Sequence, residues 1–183
     1  MPGDFEFRNL TTEVRRQMLA EIDQDIADDV LVQSKRFTGD GILSYPPLLR
    51  TAAAEYSEAW LAKQLIGFFN ETELSAGQIK QVPRNAHTLF AQGEFNRFYC
   101  RAICLFVLAN PNYSLRVYRA RQSDRPRPES EVKIGQFLHA AAVLNDLRTH
   151  LATDVEFGTN EINSGLSLEL VLNENITVQP SGN

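Results

Sequence analysis

The 183-residue chain is poor in the residues that staple small folds or ligate metals: it has 2 cysteines, 3 histidines, 2 methionines and 1 tryptophan. Two cysteines cannot build a disulfide framework and fit a reducing compartment, so a cytoplasmic origin is expected. Cys100 and Cys104 lie four apart within an apolar helical pattern. Parallel side chains on adjacent turns do not readily reach disulfide geometry, and they read as small buried hydrophobes. His87, His139 and His150 show no His-Glu-x-x-His or related spacing, so no metal and no cofactor is expected. No apolar run approaches the roughly 18 residues of a membrane span. The opening MPGDFEFRNLTTEV lacks the basic and then apolar regions of a secretory signal. The Gly-rich phosphate loop, the dinucleotide fingerprint and the hydrolase elbow are all missing. Nothing therefore points to catalysis, and a non-enzymatic protein is expected.

Basic charge is scarce overall, with 18 Lys/Arg against 23 Asp/Glu and a net charge of −5. The total hides a segregation. Residues 1–83 carry 8 basic against 13 acidic groups, residues 84–135 carry 9 against 4, and residues 136–183 carry 1 against 6, giving −5, +5 and −5. All the middle cations except Lys133 are arginines, whose planar fork suits carboxylates, phosphates and aromatic faces. The candidate interface residues are Glu94, Arg97, Arg101, Arg119, Arg121, Arg125, Arg127, Glu129 and Glu131. Three uses stand open: pairing inside the chain, pairing across subunits, or contact with DNA. A salt-bridge seam, internal or between subunits, is the preferred reading.

With 43% apolar residues the chain can bury a core of its own. Val14, Met18, Leu19, Ile22, Ile26 and Val30 recur at helical spacing, predicting a helix from Thr11 or Thr12 to about Lys35 with a solvated acidic face of Glu21, Asp23, Asp25, Asp28 and Asp29. FTGDGILSYPP reads as a connection, with Ser44 and Pro46–Pro47 opening a second helix that runs to Phe69 and carries Tyr56 and Trp60 in the core. Residues 70–84 read as an arm-like loop that grips a neighbour. A third helix spans about Asn85 to Ala109 and is stopped by Pro111, with Glu94, Arg97 and Arg101 on its narrow polar edge. SLRVYRAR alternates as an edge strand or a strand with one wet end, QSDRPRPES is extended and irregular, and His139–Thr149 forms a short helix with Val143, Leu144 and Leu147 inward. FGTNEINSG is a loop, LSLELVL a second strand, ITV a third, and PSGN a tail. The expected fold class is α+β: a helical hairpin in a region 1–83, then a small α+β domain over 84–183 with a short, mostly antiparallel sheet.

GEFNRFYCRAIC at 93–104, VYRAR at 117–121, PRPESE at 126–131, IG at 134–135, LNDLR at 144–148 and NSGLSLEL at 163–170 together resemble an uncharacterised family of phages and prophages. The resemblance covers roughly the last hundred residues and implies a virion structural protein made in the host cytoplasm. A head–tail adaptor or connector assembling as a symmetric homo-oligomer is the first expectation. Its partners would be portal, capsid or tail components, with no membrane. A capsid cement protein, and a nucleic-acid-binding protein using the 84–135 arginine belt, are the alternatives. VYRAR also resembles the arginine-bearing strand of ADP-ribosyltransferases, but no later Ser-Thr-Ser and Glu elements accompany it.

Overall fold

The computed structural model describes residues 5–122, 128–149 and 165–173, and its architecture is α+β. Arg125, Arg127, His150, nearly all of the FGTNEINSG loop, the ITV strand and the tail lie outside the described residues.

Helix α1 spans Thr12–Ala27, with the Thr11 side chain accepting a hydrogen bond from the Val14 N–H. It ends eight residues short of the expected Lys35. Asp29 takes a left-handed conformation at φ 56°, and the N–H groups of Val30 and Leu31 turn back onto the Asp25 carbonyl. Ile26 and Val30 are consequently exposed rather than inward. Helix α2 spans Gly39–Glu55 and is capped by Thr38, so the supposed connection is already helical and Pro46–Pro47 sit inside the helix. The prolines remove the donors for the carbonyls of Ile42 and Leu43, on a stretch where both residues are exposed. The long second helix is also broken: α2 stops before Tyr56, and Ser57 caps a separate helix α3, Glu58–Gln64. Tyr56 is exposed and stacks on half-buried Trp60 at 4.5 Å instead of entering the core.

The expected loop 70–84 contains a β-hairpin. Strands β1 (Thr72–Ser75) and β2 (Gln78–Gln81) pair in antiparallel register, with Leu74 opposite Ile79. Ala76 and Gly77, both at positive φ, close the two-residue turn. Its base is fixed to the body by Arg36, which forks onto Glu73 at 2.7 and 2.8 Å.

Helix α4, Ala86–Ala109, is the axis of the molecule and packs against α1, α3 and the later helix α6, as well as the sheet. Strand β3 (Tyr113–Arg119) is the centre of a three-stranded antiparallel sheet, not an edge. It lies between the short β4 (Phe137–Leu138) and β5 (Leu166–Leu172). The segment read as irregular closes with one helical turn, α5 (Pro128–Glu131), and α6 spans Ala140–Thr149 with Val143, Leu144 and Leu147 buried as expected. One hydrophobic cluster draws on both sides of residue 84, joining Val14, Leu49 and Leu61 to Phe95, Ile103, Leu147 and Leu168.

The free edge of β5 is closed by side chains. Asn96 donates to the Leu166 carbonyl at 2.9 Å, Cys100 meets the Leu168 backbone, and Asn9 accepts from the Leu170 N–H at 2.9 Å. An open strand edge invites pairing with another chain, and this one is occupied.

Candidate functional site

Residues 91–104 of α4 are buried without interruption. The narrow polar edge of Glu94, Arg97 and Arg101 is therefore interior, and Gln92 and Asn96 are buried with it. The physical reason is the position of α4, which is surrounded by α1, α3, α6 and the sheet on all sides that its side chains reach.

Arg101, 1% exposed, is the centre of the network. Its Nε donates to Glu21 at 2.6 Å, and its two terminal nitrogens fork onto Asp25 at 2.7 and 2.8 Å. Its guanidinium carbon stands 4.9 Å from the Phe98 ring centroid. Arg148 of α6 reaches Glu21 from the other side, with Nε at 3.0 Å and a second, shorter bond. Burial pulls the Glu21 carboxyl upward, but Arg148 and Arg101 outweigh it and hold the group below its ordinary value. The acidic face of α1 thus divides. Glu21 and Asp25 are buried partners of Arg101, while Asp23 pairs with Arg50 in solvent.

Glu94 and Arg97 form a second buried pair at 3.4 Å. Burial pushes the Glu94 carboxyl above its ordinary value, against the opposing pull of Arg97. The Glu94 Oε2 and the Tyr45 hydroxyl are buried and have no hydrogen-bond partner among the described residues. Desolvation also raises Tyr45.

The remaining candidates lie elsewhere. Arg119 bonds Glu131, and Arg121 bonds Gln92 and covers Phe5 at 5.3 Å. Glu129 is exposed on α5. Glu169 of β5 gathers Arg8 at 2.7 Å and Arg116 at 2.8 Å. The structure therefore brings Arg97, Arg101 and Glu94 into one helical layer and keeps Arg119, Arg121 and Glu131 with the sheet and its following turn. Arg148, Gln92 and Glu169 are network members that the sequence reading did not select, and Glu21 and Asp25 were read only as part of an acidic helix face. A usable signal existed: Glu21 and Asp25 are four apart, as are Arg97 and Arg101, so each pair shares a helix face.

This chemistry positions elements. The Cys100 thiol is pushed up to about 12 by burial, Cys104 is raised by burial, and desolvation lowers His87. Buried thiols held protonated are inert. No group of three His, Cys, Asp or Glu that could hold a metal occurs among the described residues. A buried ion network fixes register between the helices that supply it.

Surface features of a different kind lie on the hairpin. Leu74 is 77% and Ile79 79% exposed, cross-strand neighbours with their apolar side chains in water. Compared with known proteins, the chain matches no family model, no curated protein and no solved structure.

Proposed function

We propose that this protein is a non-enzymatic building block of a phage virion, first of all a head–tail adaptor, which assembles as a symmetric oligomer and grips its neighbour with the β1–β2 hairpin. The observation that carries the reading is the exposed Leu74–Ile79 pair. Two-stranded hairpins are marginal in water, and one that holds aliphatic side chains outward is suited to burying them against another chain. Each such side chain contributes about 1.5–3 kcal/mol when it leaves water. The arm is anchored at its base by Arg36 and Glu73, which aims it without covering its tip. The resemblance of the second half to proteins of phages and prophages supplies the virion context.

Four arginines of the belt count against the nucleic-acid alternative, because Arg97 and Arg101 are buried on carboxylates and Arg119 and Arg121 are engaged by Glu131 and Gln92. Solution mass measurement with negative-stain imaging tests the reading. The wild type is expected as a closed ring, and Leu74→Glu/Ile79→Glu as a folded monomer or a much weaker oligomer. A wild type that stays monomeric and binds no capsid or portal overturns it. A ring indifferent to the double substitution removes the hairpin from the interface.

A further inference from the structure

Residues Phe5 to Asn9 cross the body as an irregular strap, and nearly everything that holds them is a side chain from far along the sequence. The Phe5 N–H donates to the buried Glu58 carboxylate at 2.8 Å. The Glu6 N–H donates to the Ala120 carbonyl at 2.8 Å, and the Tyr118 hydroxyl donates to the Glu6 carbonyl at 2.6 Å. That same hydroxyl accepts from the Arg8 N–H at 3.3 Å, and the Tyr99 hydroxyl accepts from the Asn9 N–H at 3.2 Å. The side chains alternate in use. Phe5 and Phe7 stack at 5.3 Å, with Phe7 seated on Phe95 at 5.2 Å and Tyr99 at 4.7 Å. Arg8 lies over the Tyr118 ring at 4.4 Å and reaches Glu169 at 2.7 Å.

The strap is held much as a bound peptide is held: the N–H groups of Phe5, Glu6, Arg8 and Asn9 and the Glu6 carbonyl find partners on the body, while the stacked Phe5 and Phe7 share one aromatic site and Arg8 enters another. Helix α1 is capped by the Thr11 side chain, which lies outside the strap and is joined to it through the Thr11 N–H, a donor to the Asn9 carbonyl at 2.8 Å. We infer that the groove lined by Glu58, Phe95, Tyr99, Tyr118, Arg121 and Glu169 is a binding site for a Phe-x-Phe-Arg segment. It is filled here by residues 5–9 of the same chain and can take residues 5–9 of a second copy. With residues 5–9 seated in the groove, only the three steps from Asn9 to Thr12 are left to bridge the copies, and they reach at most about 11 Å. Exchange therefore requires the neighbour's groove to begin within roughly that distance of the start of α1.

The experiment uses full-length protein and a fluorescein-labelled peptide of residues 2–11, read by anisotropy. The variant Phe5→Ser/Phe7→Ser weakens the resident strap, so it is expected to bind the peptide at least about tenfold more tightly than the wild type, whose groove is mostly occupied. A peptide carrying the same two serines is expected to bind neither protein. Binding to neither protein, equal binding to both, or capture of the serine peptide overturns the inference. Should circular dichroism show the variant unfolded, amide exchange in the wild type decides. The amides of Phe5, Glu6, Arg8 and Asn9 are expected to exchange at least about tenfold faster than those of Phe98–Ala102, as a separable unit does. Exchange in step with that helix overturns the inference. None of these readouts depends on the assembly state tested through the hairpin.

Discussion

Arg101→Met removes the hub of the buried network while keeping most of its volume. Asp25 loses both hydrogen bonds of its fork and stays 5% exposed, whereas Glu21 keeps Arg148. Breaking a buried pair from one side leaves an uncompensated charge and costs about 3–5 kcal/mol. For a chain of this size each kcal/mol moves the melting temperature by about 2–4 °C, so a fall of about 6–20 °C is expected. The second step discriminates. Arg101→Met/Asp25→Leu removes both charges from that half of the network, and apolar replacements of buried pairs are often neutral or stabilising. The double variant is expected within about 1 kcal/mol of wild type. Urea titrations followed by circular dichroism measure both. A single variant as stable as the wild type refutes the burial of the pair in solution. A double variant as damaged as the single one refutes the charge argument and transfers the cost to the packing of the guanidinium on Phe98.

Glu94 carries a pH dependence of definite sign. Its folded value is raised, so the folded state disfavours the ionised form, and the stability present below the ordinary carboxyl range is lost as pH rises through the folded value. Glu94→Gln cannot ionise, so the stability difference between variant and wild type is expected to move in the variant's favour as pH rises above the ordinary carboxyl range, whatever its sign at low pH; a difference that moves the other way contradicts the assignment. Two glycines of α2 test the packing of its first turn. A Cβ at Gly41 would meet the Phe68 carbonyl oxygen at 2.6 Å, so Gly41→Ala is expected to destabilise, although alanine is normally better than glycine in a helix by about 1 kcal/mol. Gly39 has nothing within 4 Å, and Gly39→Ala is expected to be neutral or to stabilise by about 0.4–1 kcal/mol. Thermal melts of the pair decide, and equal shifts would remove the contact with Phe68 from the account.

The elements most legible in the sequence were those whose burial pattern has one period. Helices α4 and α6 and strands β3 and β5 lie close to where apolar spacing places them. The start of α2 was hidden because Gly39, Gly41 and two prolines read as a connection, yet Thr38 supplies a cap that outweighs them locally. The hairpin was hidden because each strand carries one aliphatic residue, too few for an alternation to register. Arg97 and Arg101 were legible as a charged stripe but not as buried ones. A stripe on an apolar helix looks the same whether it faces water or a partner, and the partners of Arg101 stand 76 and 80 residues away on α1.

The charge blocks of the chain left pairing within the chain and docking of acid on base between neighbouring copies both open, and the described contacts are of the first kind. Glu21 and Asp25 of the first acidic block take up Arg101 of the basic block, and Glu169 of the last block takes up Arg116. Complementary charge is thus largely satisfied within one chain, where it holds α1, α4, α6 and the sheet in register. The described surface also offers groups of the opposite character: Leu74 and Ile79 on the hairpin, and Leu43 and Ile66 on the body, all strongly exposed. Salt screens exposed charges over about 10 Å and does not weaken apolar contact in that way. An assembly gripped through the hairpin therefore keeps its strength as ionic strength rises, whereas one built on the −5 and +5 blocks would come apart, and that dependence separates the two modes of association.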